Sequence, residues 1–301
     1  MFNRAQELKQ LEPGLHAIFG QDYKRFDNEF KALFEVTSSN RAFEEEVLFS
    51  GFGTAPVKAE GAAITYDDTG EGWVARYNHE TIALGFAITE EAMEDNLYEP
   101  IATRLTKALA RSMVNTKEVK AANIYNLAQD SSQLGGDGKV LLATDHPLRS
   151  GGTGSNRPTA NVDLSQTSME NAFIDIAGFT DDRGIPAAIN ARSLHVARQN
   201  WAVAKKLLGA GATLDSESAN NTISAVFGML PGGWSINHRF TDTDAWFIRT
   251  DAPDGMKHMV RKPVATAMEG DFETGNVRYK ARERYSFGWS DWRALYGSMG
   301  S

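Results

Sequence analysis

The chain has 301 residues, of which 42% are hydrophobic and 23% charged, with a formal net charge of −8 and no cysteine. That is enough apolar material for one large domain or two modest ones, and it excludes disulfides, thiolate metal sites and cysteine nucleophiles. Acidity without basic runs argues against sequence-specific DNA recognition, which needs clustered Lys and Arg; around nucleic acid, such a chain would be a container whose wall does not grip the polymer.

Met1–Gln10 lacks the apolar core of a secretory signal. No run of about 18 apolar residues marks a membrane span. Met1–Val36 reads as helices broken near Pro13-Gly14. In the second of these, Phe19, Tyr23, Phe26, Phe30, Leu33 and Phe34 recur at spacings of three and four and form one aromatic stripe. Such a stripe faces either its own core or an adjacent subunit.

Phe49–Gly85 changes texture. Gly51, Gly53, Gly61, Gly70 and Gly72 punctuate it, and Ile64–Tyr66 and Trp73–Tyr77 are β-prone on either side of the turn signal Asp67–Gly70. The simplest picture is a long hairpin with an irregular tip. An isolated hairpin is marginal in water, so this one needs a surface to lie on.

Thr89–Asn96 predicts a short helix capped by Thr89. A long helix follows over about 97–129, with Pro100 in its first turn and Ile101, Leu105, Leu109 and Met113 as an i+4 ridge continuing through Val114, Ala121, Ile124 and Tyr125. At 1.5 Å per residue it makes a rod of roughly 45 Å. A protruding arm and a lone long helix ahead of the compact part point to a subunit built to touch neighbours.

Ser131–Thr159 is a Gly- and Ser-rich loop region. Leu164–Ala177 predicts a helix begun by Ser165 or Thr167, Ala188–Val196 a strand, and Arg198–Leu208 a helix stopped by Gly209 and Gly211. Ser224–Gly228, Trp234–Phe240, Ala245–Thr250, Val264–Met268 and Val277–Trp289 read as strands. In the last of them Val277, Tyr279 and Ala281 alternate with Arg278, Lys280 and Arg282.

No arrangement of catalytic residues emerges. His16, His79, His146, His195, His238 and His258 are scattered, with no HExxH and no G-x-S-x-G. Gly151–Ser155 lacks the Lys-Ser/Thr of a phosphate loop. Asp242/Asp244 and Asp251–Asp254 read as surface turns rather than cation sites. Asn220-Asn-Thr222 matches a glycosylation sequon that is inert without secretion. Lys58, beside Glu60, reads as half of a solvated ion pair; an isopeptide acceptor for it is nowhere indicated.

Ala143-Thr-Asp-His-Pro147, Gly151-Gly-Thr-Gly-Ser-Asn156, Leu164-Ser-Gln-Thr-Ser-Met-Glu170, Asp182-Arg-Gly184 with Pro186, Ser193-Leu-His-Val196 and Asp242-Thr-Asp-Ala-Trp-Phe247 occur in that order. Together they resemble the Mu-like phage major head proteins, most closely over 143–250. The sequence departs where the family has prolines after its Leu-x-Val strand; here Ala197-Arg198 follow.

The resemblance implies an α+β fold of the Hong Kong 97 capsid type. Its parts would be an N-terminal arm (1–48), an extended loop (49–85), a peripheral domain (86–186) with a spine helix (97–129), an axial domain (187–262) and C-terminal strands returning to the peripheral domain (263–301). It implies a non-enzymatic major capsid protein without cofactor, catalytic residue or metal, forming hexamers and pentamers of an icosahedral head around double-stranded DNA. A scaffold protein, a maturation protease, a portal and decoration proteins would be its partners, with assembly in the bacterial cytoplasm and no membrane. Phe19, Tyr23, Phe26, Phe30, Phe49, Phe52, Lys58, Trp73 and Arg76 are the expected inter-subunit contacts. The alternatives are an encapsulin-like nanocompartment shell, which shares the fold, and a soluble enzyme, whose hairpin would pack on its own domain.

Overall fold

Two four-stranded sheets and one long helix organise the described residues. The structure, a computed structural model, describes residues 4–26, 28–89, 91–92, 98–208, 230–271 and 275–301. The expected strand at 224–228 lies outside these, as does the sequon at 220–222. Most of the short helix expected at 89–96 does too, though the Ala92 N–H donates to the Thr89 hydroxyl at 3.4 Å.

The first sheet has the order β1 (Glu35–Ser38), β10 (Met256–Gly270), β11 (Val277–Trp289), β4 (Glu80–Ile88). β1 runs parallel to β10 and the other pairs are antiparallel. The predicted alternation in β11 holds: Val277, Tyr279 and Ala281 are buried, and Arg278, Lys280 and Arg282 are exposed. β10 starts eight residues before the expected Val264, because Lys257 and His258 are buried rather than solvated.

Helix α1 (Arg4–Arg25), the single turn α2 (Phe30–Leu33) and the long helix α3 (Tyr98–Asn126) cover this sheet. α3 has 29 residues, a rod of about 44 Å. It buries Ala102, Leu109, Ala110, Met113, Ala121 and Tyr125. Ile101 and Leu105 depart from the expected ridge and are 46% and 37% exposed. Each i+4 step turns about 40° past a full turn, so a strict i+4 series walks off the buried face.

α1 also differs from expectation by running unbroken through Pro13 and Gly14. An interior proline costs about 3 kcal/mol, offset by burial of Leu15 and Phe19 against α3 and β11. The chain breaks later, around residues 26–29, and this splits the aromatic stripe. Phe19 joins the α3–β11 core, whereas Phe30 enters a different cluster with His258 and Phe287.

The second sheet has the order β12 (Leu295–Ser298), β9 (Trp246–Thr250), β7 (Ala191–Ala197), β8 (Trp234–Asn237). Helices α4 (Gln166–Ala177) and α5 (Trp201–Leu208) pack on it through Met169, Ala172, Ile176, Ala204 and Leu208. Ser165 is the cap of α4: its hydroxyl accepts the Ser168 N–H, and the Ser168 hydroxyl accepts the Ser165 N–H. β12 brings the C-terminus into this sheet, so the last strands serve both sheets.

Candidate assembly surfaces

β2 (Phe43–Ser50) and β3 (Gly70–Asn78) form an antiparallel ribbon that is separate from both sheets. Val47 and Val74 pair across it. The hairpin expected within 49–85, turning at Asp67–Gly70, is not formed: only its second strand is present, and the partner strand lies earlier, in the charged run Glu44–Glu46. Ile64–Tyr66 is not a strand, and residues 80–85 leave to join the first sheet. The acidic run folds as a strand because its side chains have partners: Glu46 holds the buried Lys257 at 2.6 Å, and Glu45 meets Arg76 at 3.7 Å.

The root of the ribbon is fixed. Ala75 and Tyr77 are buried with Met259. The Tyr77 hydroxyl bonds Ser290 at 2.5 Å, and its ring fills the space where a Cβ on Gly288 would stand, 2.7 Å away. His79 bridges Ser39 and Ser286 at 2.8 and 3.0 Å. Burial lowers the His79 pKa, keeping the ring neutral between two hydroxyls.

Two arginines clasp the far end, where the ribbon opens into residues 51–69. Arg149 donates to the Ser50 hydroxyl and to the Glu71 carbonyl, both at 3.3 Å. Its guanidinium occupies the place of a Cβ on Gly70. Arg183 donates to Asp67 at 2.6 Å, and the Gly53 N–H donates to the same carboxylate at 2.7 Å. The Gly53 N–H first, and then Arg183, hold the Asp67 carboxyl below its ordinary range.

Beyond these clasps the loop carries Phe52, Val57, Ile64 and Tyr66, all largely exposed. Phe49 and Phe52 are each 65% exposed, and Lys58 is exposed without an ion pair to Glu60 among the described residues. Five large apolar side chains within 18 residues, with no core of their own, make a patch that a lone soluble subunit rarely shows. A cleft of about 630 Å³ lies under the ribbon, lined by Glu46–Gly51, Asp182, Ile189, Asp291 and Arg293.

The other expected contact residues are turned inward or paired within the chain. Phe19 and Phe30 are buried, and Trp73 packs against the core of the second sheet. Tyr23 donates to the buried Glu283 at 2.9 Å, beside Lys117 at 2.5 Å from the same carboxylate. Arg111 lies over the Phe26 ring and Arg76 over Phe43.

The residues of the His146–Asn156 motif build an interior hub. The Asn156 amide donates to the carbonyls of Leu141, Trp292 and Leu295 at 2.7, 3.1 and 3.1 Å and accepts the Ala143 N–H at 3.0 Å. His146 stacks on Trp292 with its ring 4.5 Å away and contacts Asp137 at 2.6 Å. Next in the chain, Arg293 sits between Asp182 at 2.7 Å and Asp291 at 3.2 Å. Burial raises the Asp291 pKa, and Arg293 opposes that. No sequence signal announces Arg293, because its partners Asp182 and the Thr180 carbonyl lie 111 and 113 residues away.

Gly151 and Gly152, both at φ +89°, are the turn of the small hairpin β5 (His146–Pro147) and β6 (Thr153–Gly154). Asp242 caps its own turn by accepting the Asp244 N–H, and Asp254 pairs with Lys257. Among the described residues no group of three or more His, Asp or Glu could hold a metal, and no helix is long and apolar enough to cross a membrane.

The sequence profile of a phage capsid protein family matches residues 73–298. No curated protein matches the chain in sequence. Among solved structures, a phage-related protein from Bordetella bronchiseptica RB50 is similar at 13% identity and a TM-score of 0.54, covering 93% of this chain and 95% of that one. The virus-like particle from Pyrococcus furiosus is similar at 13% identity and a TM-score of 0.51, with coverages of 94% and 97%. The capsid of Myoviridae phage XM1 gives 11% identity, a TM-score of 0.51 and coverages of 91% and 92%.

Proposed function

The chain belongs to the phage capsid protein family, which spans residues 73–298, and from that premise we propose how it acts within a shell. It is a major capsid protein of the Hong Kong 97 fold, a structural virion component and not an enzyme. Family membership favours a phage head over an encapsulin-like compartment.

The finer reading is that of a Mu-like head subunit forming hexamers and pentamers around double-stranded DNA. A scaffold protein, a maturation protease, a portal and decoration proteins would act on it in the bacterial cytoplasm. The extended loop would reach the neighbouring subunit, with the β2–β3 ribbon as its stalk. Residues 86–186 with α3 would form the peripheral domain and 187–262 the axial domain. Closed shells of identical subunits gain stability from contacts repeated by symmetry.

The observation that carries this reading is the exposed apolar loop 51–69, clasped at its base by Arg149 and Arg183. Among the expected contacts, Phe49, Phe52, Lys58 and Arg76 are exposed and open to a neighbour. Phe19, Phe30 and Trp73 support their own subunit. The test is deletion of residues 54–66, which spares both clasps. A folded subunit that no longer makes closed shells by electron microscopy is the expected result; normal shells would sink the bridging role.

A further inference from the structure

The cations that alternate along β11 sit on a face that shell formation alone leaves unexplained. Arg278, Lys280, Arg282 and Arg284 project from one side of the strand while Val277, Tyr279, Ala281 and Glu283 are buried on the other. Alternate positions on a strand are about 6.8 Å apart, so the row runs roughly 20 Å. The register sets Ala83, Gly85 and Ala87 of β4 along one flank and Ala265 and Ala267 of β10 along the other. Lys262 lies opposite Arg284, and Glu269 lies opposite Arg278. Five cations thus share a sheet face with Glu269, and Asp271 reaches Arg278 from just beyond β10, in a chain whose net charge is −8.

Arg278 is held by Asp271 at 2.5 Å, whereas Lys280 and Arg282 have no ion pair among the described residues. The floor beside them is kept low. A Cβ on Gly85 would stand 2.7 Å from the Tyr279 carbonyl oxygen and 3.2 Å from the Lys280 Cβ. Protein interfaces anchor on aromatic and large aliphatic side chains, and the positions facing this side supply none. Unpaired cations over a bare floor suit a polyanion instead, and the arginine fork matches phosphate oxygens in two-point contact.

We propose that this face of β4, β11 and β10 binds the sugar–phosphate backbone of double-stranded DNA without regard to sequence. The inference rests on the reading of the chain as a shell around DNA. It revises the expectation of a wall that does not grip, because charge segregates by face although the whole chain is acidic.

The test is fluorescence anisotropy of a labelled duplex of about 30 base pairs with the full chain, from about 20 to 200 mM salt. Four to five phosphate contacts predict that log K falls with log salt at a slope of roughly −4. Lys280→Gln/Arg282→Gln should weaken low-salt binding roughly tenfold or more and make the slope shallower by about 2. Lys280→Gln alone should make it shallower by about 0.9, which keeps the test open if the double variant misfolds. Arg104→Gln/Lys107→Gln, on the exposed side of α3, removes the same charge and should change neither quantity. Absence of salt-dependent binding, or equal effects of the two double variants, would overturn the proposal. So would loss of self-association in Lys280→Gln/Arg282→Gln with DNA binding intact, which would make the face a contact between copies. Shells that still form in these cases leave the capsid assignment standing.

Discussion

Arg183 donates to Asp67 at 2.6 Å across 116 residues of sequence. Because the Gly53 N–H uses the same carboxylate oxygen, one side chain ties both ends of the extended loop to the body. Arg183 also reaches the Asp68 carbonyl. The turn that presents Arg183 is itself held by Asp181, which accepts the N–H groups of Arg183 and Ile185 at 2.8 Å each. The loop is therefore fastened at its root and open along its apolar tip.

Arg183→Ala should loosen the loop without unfolding the subunit. The expected result is faster limited proteolysis within 51–69, with the melting temperature of the isolated chain nearly unchanged, since exposed ion pairs contribute little to global stability. Acid should act in the same way. Asp67 has its pKa lowered from 3.8, so the clasp is present above that value and is lost as pH falls through the lower folded one. Cleavage rates that are the same in the variant and the parent would count against the clasp.

Asn156→Ala should be among the most damaging single changes. It leaves the Ala143 N–H without its acceptor and the carbonyls of Leu141, Trp292 and Leu295 without their shared donor, all in the interior. Each unmet buried group costs about 1–3 kcal/mol, and the Trp292 carbonyl keeps the Leu295 N–H as a second partner, so a loss on the order of 3–5 kcal/mol is expected in denaturant titration. A loss under about 0.5 kcal/mol would mean that the hub is not a structural centre.

Glu118 gives the subunit a pH dependence of opposite sign to that of Asp67. Its Oε2 accepts the Phe30 N–H at 3.0 Å, and its Oε1 has no hydrogen-bond partner. Burial raises its pKa from 4.5 to about 7, and the Phe30 N–H opposes that. The folded chain therefore holds the proton more tightly than the unfolded chain does. Stability from this group is full below 4.5 and declines as pH rises through about 7. Glu118→Gln should flatten that decline, by on the order of 2 kcal/mol between pH 5 and 8. Parallel curves for variant and parent over that interval would exclude Glu118 as the source.

What the sequence makes legible follows from how local each signal is. The α3 rod, the β11 alternation and the start of α4, where Ser165 rather than Thr167 proves to be the cap, depend on neighbours within a few residues and are present. The first strand of the ribbon is hidden because Glu44–Glu46 reads as solvated until Lys257, 211 residues away, is placed beside Glu46. The break at Pro13 is misplaced because packing of Leu15 and Phe19 outweighs local propensity. The hub is the clearest case: His146 and Asn156 carry the resemblance, yet their purpose depends on Trp292 and Leu295, 136 and 139 residues beyond Asn156.

Phe49→Ser/Phe52→Ser separates folding from assembly. Both rings are 65% exposed in the subunit, so the isolated chain should lose little, within about 0.5 kcal/mol per site. If the rings become buried against a neighbour, each is worth about 1.5–3 kcal/mol when fully covered, and every 1.4 kcal/mol is about tenfold in an association constant. The concentration needed for shells to appear in light scattering should therefore rise by at least about tenfold, while the melting curve of the dispersed subunit stays in place. The same change at Phe19 should do the reverse, since its ring is held in the α3–β11 core: the subunit should melt earlier. If Phe49→Ser/Phe52→Ser leaves the assembly threshold where it was, the loop aromatics are not the contact, and the exposed Ile101 and Leu105 of α3 become the next surface to test.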